Sequence, residues 1–207
     1  AACALTADAV ACGADALLVI TPYCNKGTAD GILEHYRRIA DAASGRPVIL
    51  YNIPSRTGVN LTEAQYAALA GIPNIRAVKE ASGSMAKLTR LCADGRLAVY
   101  SGNDDQILPV MAVGGRGVIS VLSNLAPAAV SAMAHAAADG DFATARHLAY
   151  KYARLISLLF AETNPAPLKY ALELLGLSRG EVRLPLAEVG DDLKAALRGE
   201  LTALGML

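Results

Sequence analysis

Short, largely apolar runs recur through the first part of the chain, at residues 16–20, 48–51, 75–78, 97–100 and 117–121. Each is followed by turn-forming residues, which predicts a strand. Between the runs, apolar positions return with helical spacing over 31–43, 61–70, 85–91 and 105–113. Strand and helix therefore alternate five times. Continuous apolar strands separated by helices imply a parallel sheet covered on both faces, hence an α/β fold. A (β/α)8 barrel and a doubly wound sheet satisfy this pattern equally, and periodicity alone does not separate them.

Beyond residue 124 the strand pattern stops, and 126–139, 142–160, 166–175 and 191–204 all read as helices. Asp141 and Asn164 are placed to be N-caps, and Gly140 and Gly176 to stop helices. The expected organisation is a sheet-bearing part at 1–140, its last β/α unit completed by the helix over 126–139, followed by a helical domain at 141–207. Residues 1–12 already read as an amphipathic helix with no strand before it, so the chain is expected to begin part-way through its fold.

Composition narrows the classes. Hydrophobic residues make up 54% and charged residues 18%, with 19 Lys and Arg against 19 Asp and Glu. Such a chain is neither disordered nor a coiled coil. It also lacks the basic surplus of a nucleic-acid binder, its most basic short stretch being Arg37-Arg38. Cysteines at 3, 12, 24 and 92 form no C-x-x-C pair, so neither a disulfide framework nor a zinc site is indicated, and a reducing compartment is expected. No apolar stretch approaches the ~18 residues of a membrane span. A soluble, cytoplasmic protein is the expectation.

Parallel α/β proteins carry their chemistry just past the C-terminal ends of the strands. Lys79 directly follows one run and should enter the strand-end cavity. There, desolvation would lower its pKa and prepare the amine to attack a carbonyl. The alternative is an interior lysine paired with Glu80 or an aspartate. Tyr51 ends the preceding run, so adjacent strands would set its ring beside Lys79, where a phenol can move protons; simple ring packing is the other reading. Arg56 lies in the turn Pro54-Ser55-Arg56-Thr57-Gly58, where its guanidinium can present a planar fork to a carboxylate or simply face solvent. Together the three describe a keto-acid site.

Other features carry less. The segment Val113-Gly114-Gly115-Arg116-Gly117 precedes a strand and is read as a helix stop and turn, not a phosphate loop. His35, His135 and His147 lack metal-ligand spacing and are assigned packing or surface roles. Asp104-Asp105 is read as a helix cap in preference to a metal site.

Four segments carry a family resemblance: Tyr51-Asn52-Ile53-Pro54-Ser55-Arg56-Thr57-Gly58, Val78-Lys79-Glu80-Ala81-Ser82-Gly83, Ser101-Gly102-Asn103-Asp104 and Gly117-Val118-Ile119-Ser120-Val121. In order and spacing, and with Asn164-Pro165-Ala166-Pro167-Leu168-Lys169 in the tail, the chain resembles the dihydrodipicolinate synthase family. The resemblance implies a (β/α)8 barrel, of which strands four to eight are present and the first three missing, with a C-terminal helical domain. It implies a homotetramer built from dimers that condenses pyruvate with aspartate semialdehyde to 4-hydroxy-tetrahydrodipicolinate, in lysine and diaminopimelate biosynthesis. Lys79 would form the Schiff base, with no cofactor and no metal; Tyr51 would relay protons and Arg56 would hold a substrate carboxylate.

Gly102 and the backbone of Ile119 would line the pyruvate pocket, and Tyr23 would stand near the lysine feedback site at the dimer interface. Cys24 replaces the tyrosine that in the family reaches into the partner's active site. The family's Gly-Thr-Thr-Gly-Glu loop, which supplies a relay threonine, falls before residue 1. Two alternatives accompany this reading: another pyruvate-dependent aldolase, such as an N-acetylneuraminate lyase or a keto-deoxy-sugar aldolase, and a non-catalytic chain. The arginine of the Pro54–Gly58 turn favours the synthase over the neuraminate lyase.

Overall fold

The computed structural model describes residues 1–207. Five strands, β1 (Leu17–Ile20), β2 (Val48–Asn52), β3 (Ile75–Glu80), β4 (Ala98–Ser101) and β5 (Gly117–Val118), form one parallel sheet in the order β1-β2-β3-β4-β5. Helix α1 (Ala2–Ala11) precedes β1, and α2 (Ala29–Ala42) links β1 to β2. The short α3 (Pro54–Thr57) and α4 (Glu63–Ala70) link β2 to β3, and α5 (Met85–Asp94) links β3 to β4. A 3-10 turn (Asp104–Gln106) leads into α6 (Ile107–Ala112) before β5; then come a second 3-10 turn (Leu122–Asn124), α7 (Pro127–Ala138), α8 (Phe142–Leu159), α9 (Ala166–Leu174) and α10 (Asp191–Ala203).

Strand order settles what periodicity left open. A doubly wound sheet reverses its order at a switch point and so gains helices on both faces. Here the order never reverses, and the helices α2, α4 and α5 that link the strands pack on one side, as crossovers of a single hand require. Leu17, Val48, Leu50, Ile75, Val78 and Val99 on that side are buried with Ile32 and Tyr36 of α2, Tyr66 and Leu69 of α4, and Leu88 and Leu91 of α5. The opposite row is half-exposed, Leu18 reaching 45%. The expectation that helices cover both faces is thus corrected: one face is helix-covered, and the other is the inward face of a singly wound sheet.

Local signals account for most helix starts. The Thr28 hydroxyl accepts from Gly31 N at 3.2 Å, Thr62 and Gln65 form a reciprocal capping box, and Asp141 accepts from Thr144 N at 3.0 Å. Three expectations are revised. Asn164 is not the cap, because the N-cap position of α9 falls one residue later, on Pro165, without a side-chain bond. Asp104 caps no helix of its own; its Oδ2 accepts from Val121 N and Leu122 N at 3.0 Å each, so it satisfies the opening N–H groups of the second 3-10 turn. The run at 117–121 pairs as a strand over its first two residues only.

The chain divides into two compact units, 1–102 with 109–119, and 103–108 with 120–207. In the second, α7 to α10 pack around Val130, Met133, Tyr152, Leu155, Leu159, Leu197 and Leu201, all buried. Helix α7 belongs to this unit, whereas the sequence pattern draws the boundary after residue 140. No helix is long and apolar enough to cross a membrane, and all four cysteines are free thiols.

Tyr36 sits in the first core with no exposed surface, its hydroxyl donating to Val19 O at 3.2 Å. Burial pushes its phenol far above the ordinary range. A folded pKa above the unfolded value of about 10 gives a contribution that is complete below that pH and lost as pH rises above it. Urea-denaturation midpoints should therefore fall above pH ~10, and Tyr36→Phe should flatten that decline; an identical decline in the variant would remove Tyr36 from the account.

Candidate active site

The register of β2 against β3 places the chemistry. Tyr51 is the partner of Lys79, and Asn52 the partner of Glu80. Because successive strand residues point to opposite faces, Tyr51 and Lys79 share the inward face while Asn52 and Glu80 share the helix-covered one. The same inward row runs from Ile20 on β1 through Tyr51 and Lys79 to Tyr100 on β4. Lys79 Nζ lies 4.3 Å from the centroid of the Tyr51 ring. Both side chains are half-buried, so the lysine is open to a small ligand and not enclosed. A ring face at this distance stabilises a cation on the nitrogen, whether ammonium or iminium.

Tyr51 also connects to Arg56. Burial raises the Tyr51 pKa, and the Arg56 charge pulls it back in the opposite direction, so the guanidinium acts on this phenol. Arg56 is the basic residue of the one-turn helix α3, which starts on Pro54 and ends at Gly58 with φ 71°. Proline presets the first turn, and glycine tolerates the left-handed stop. The turn is anchored from beneath: Thr57, 3% exposed, accepts from the fully buried Thr21 hydroxyl at 3.2 Å and from Val59 N at 3.1 Å. Arg56 itself is exposed above this anchor.

Gly102 and Ile119 extend the neighbouring strand ends. Gly102 N donates to Glu80 O at 2.8 Å, and Ile119 N to Ser101 O at 2.9 Å. A Cβ on Gly102 would stand 2.5 Å from Ala81 Cβ, which real atoms cannot do; this glycine is what lets β4 close on the residues after Lys79. Tyr23 and Cys24 occupy the exposed turn after β1, Tyr23 being 64% exposed and Cys24 left-handed at φ 65°. His35 packs edge-on against Tyr36, and His135 bonds within its own helix to Ser131. No cluster of three or more His, Cys, Asp or Glu is placed to hold a metal.

Two features escape a reading of the sequence. Tyr100 flanks Lys79 from the side opposite Tyr51, beside Gly117, whose Cβ would be 3.5 Å from its ring; its place at the end of its run was the available signal. Glu80, weighed as a partner for Lys79, points away from it. It is fully buried and accepts from Asn52 Nδ2 at 3.0 Å, Tyr66 Oη at 2.6 Å and Ser82 N at 2.8 Å.

Comparison with known proteins fits this geometry. The model of the dihydrodipicolinate synthetase family matches residues 1–204. The chain belongs to that family. It is 46% identical over 206 residues to the 4-hydroxy-tetrahydrodipicolinate synthase of Methanothrix thermoacetophila, covering 98% of this chain and 70% of the relative. Among solved structures, the dihydrodipicolinate synthase of Aquifex aeolicus superposes with TM-score 0.95 at 40% identity, over 99% of this chain and 70% of that one. The chloride-inhibited dihydrodipicolinate synthase of Acinetobacter baumannii, complexed with pyruvate, also gives 0.95, at 41% identity over 99% and 71%. The TIM barrel with a C-terminal helical domain of the dihydrodipicolinate synthetase family agrees with the unreversed parallel sheet and the helices that follow it.

Gly102→Ala should force β4 away from Ala81. We expect it to lower stability by about 1–3 kcal/mol, the usual cost of overpacking, with weaker pyruvate binding. A variant matching the parent in urea denaturation and pyruvate titration would contradict the close-packing role.

Proposed function

We infer that this chain condenses pyruvate with aspartate semialdehyde to 4-hydroxy-tetrahydrodipicolinate, the step that commits carbon to lysine and diaminopimelate. The observation that carries the reading is the Lys79 amine held over the Tyr51 ring on the inward face. Membership in the dihydrodipicolinate synthetase family supports it.

The chemistry follows from an amine, a phenol and a guanidinium. The neutral Lys79 amine adds to the pyruvate ketone, and the carbinolamine loses its hydroxyl as water to leave an iminium. Tyr51 is placed to move protons in these steps, because its raised pKa keeps the phenol protonated at neutral pH. The iminium acidifies the adjoining methyl group; loss of one proton gives an enamine, whose carbon attacks the aldehyde to form the new C–C bond. Ring closure by the amine of the second substrate displaces Lys79 and restores the enzyme. Covalent attachment makes an external cofactor unnecessary. Arg56 holds a substrate carboxylate, and Gly102 with the Ile119 backbone lines the pyruvate pocket.

The five strands correspond to strands four to eight of the family barrel, with domains at 1–140 and 141–207 when α7 is counted with the β5 unit. The protein works in the cytoplasm as a homotetramer, with Tyr23 beside a lysine effector site and Cys24 in place of the tyrosine that spans the dimer interface. It takes small-molecule substrates and needs neither nucleic acid nor membrane.

Treatment of the full-length protein with pyruvate and borohydride should give one adduct, assigned to Lys79 by peptide mass spectrometry and lost in Lys79→Ala; trapping that survives the substitution would remove Lys79 from its role. Arg56→Ala should lower kcat/KM for the condensation by about tenfold or more, because the substrate carboxylate loses its charged hydrogen-bond donor. An unchanged kcat/KM would exclude Arg56 from carboxylate binding.

A further inference from the structure

The pairing of Tyr51 with Lys79 is not inherited from the start of the strands. Val48 pairs with Ile75, but Ile49 pairs with Ala77, so β3 carries one extra residue, the exposed Arg76, at a bulge. Continued without the bulge, the initial register would set Tyr51 against Val78 and turn Lys79 toward the helices. A shift of one residue exchanges the two faces of a strand. Something must therefore hold the shifted register at the far end, and ladder bonds alone are evenly spaced and register-tolerant.

On the helix-covered face, one position past Tyr51 and Lys79, Asn52 and Glu80 are paired and both fully buried. Asn52 Nδ2 lies 3.0 Å from each Glu80 oxygen, Tyr66 Oη from α4 donates to Oε2 at 2.6 Å, and Ser82 N donates to Oε1 at 2.8 Å. Asn52 Oδ1 in turn accepts from Leu61 N at 3.1 Å, and Lys87 Nζ from α5 reaches Leu61 O at 2.8 Å and Asn60 Oδ1. Burial and the Glu80 charge raise the Tyr66 pKa well above its usual range, so this phenol stays a donor.

We propose that Glu80 is a positioning residue: its buried bonds to Asn52, Tyr66 and Ser82 clamp β3 to β2 one residue past Lys79 and Tyr51, fixing where the lysine amine meets the substrate carbonyl. A carboxylate suits this place because it only accepts, and every neighbour named here donates. A glutamine would turn an amide N–H toward at least one of those donors. Misplacement of a reacting group by about 1 Å can cost ~100-fold in rate. The proposal rests on the Schiff-base reading above.

The test measures pyruvate-dependent borohydride trapping at saturating pyruvate in the full-length protein, recording both the rate constant and the final adduct fraction. Glu80→Gln should slow the rate constant about tenfold or more, and Tyr66→Phe about threefold or more, with half-saturating pyruvate nearly unchanged and the adduct still going to completion. Leu91→Ala, a core loss outside the clamp, should lower Tm without slowing the competent molecules. If the clamp variants lose only Tm or final adduct fraction and keep the parent rate constant, Glu80 serves stability alone and the proposal is overturned. Should Glu80→Gln fail to fold, Tyr66→Phe, which keeps the ring volume, decides by the same rate constant. Absence of any Lys79 adduct in the parent protein would sink the Schiff-base reading itself, a result separate from slow or normal trapping in the variants.

Discussion

Tyr51 meets Lys79 because β3 holds one more residue than β2 between their first and last pairs. That single-residue offset decides which side chains face inward and which face the helices. With it, an amine and a phenol share the open face, while a carboxylate and an amide share the buried one. The chemistry and the core are thus two faces of one register, and an element that stabilises one face constrains the other.

The buried face shows how a charge is kept there. A carboxylate taken out of water is costly unless its oxygens are filled with donors. Glu80 is supplied by an adjacent strand, a helix and its own following turn. The same hydrogen bonds that make its burial tolerable tie together β2, β3 and α4. Gly102 serves the next strand: without a Cβ it allows its N–H to reach Glu80 O, so β4 is drawn against the residue after Lys79.

Much of this was legible in the residues. The strand-end positions of Lys79 and Tyr51 follow from the apolar runs, and their proximity follows from adjacency of consecutive parallel strands. Asp141 before its helical segment marked a real cap, whereas the caps at Thr28 and Thr62 came only with the structure, since neither residue stands directly before the segment its spacing predicts. Strand order was not legible from periodicity, because an apolar period reports which face is buried but not which strand is the neighbour; adjacency of consecutive strands was an assumption there, and the barrel came from the family resemblance. Nor was the bulge assigned, although Arg76, the only charged residue in its run, is the one that bulges out. The partners of Glu80 were hidden for a different reason. Tyr66 lies on a separate helix, and a buried polar contact between distant segments leaves no periodic trace. Asn164 misled because a good capping residue before a proline need not be the cap when the proline itself takes the N-cap position.

A crystal structure of the full-length protein soaked with pyruvate tests the central claim most directly. The account predicts continuous density from Lys79 Nζ to the pyruvate C2 carbon, with the Tyr51 ring still against that nitrogen. Pyruvate bound without a covalent link, or linked to a different lysine, would contradict it.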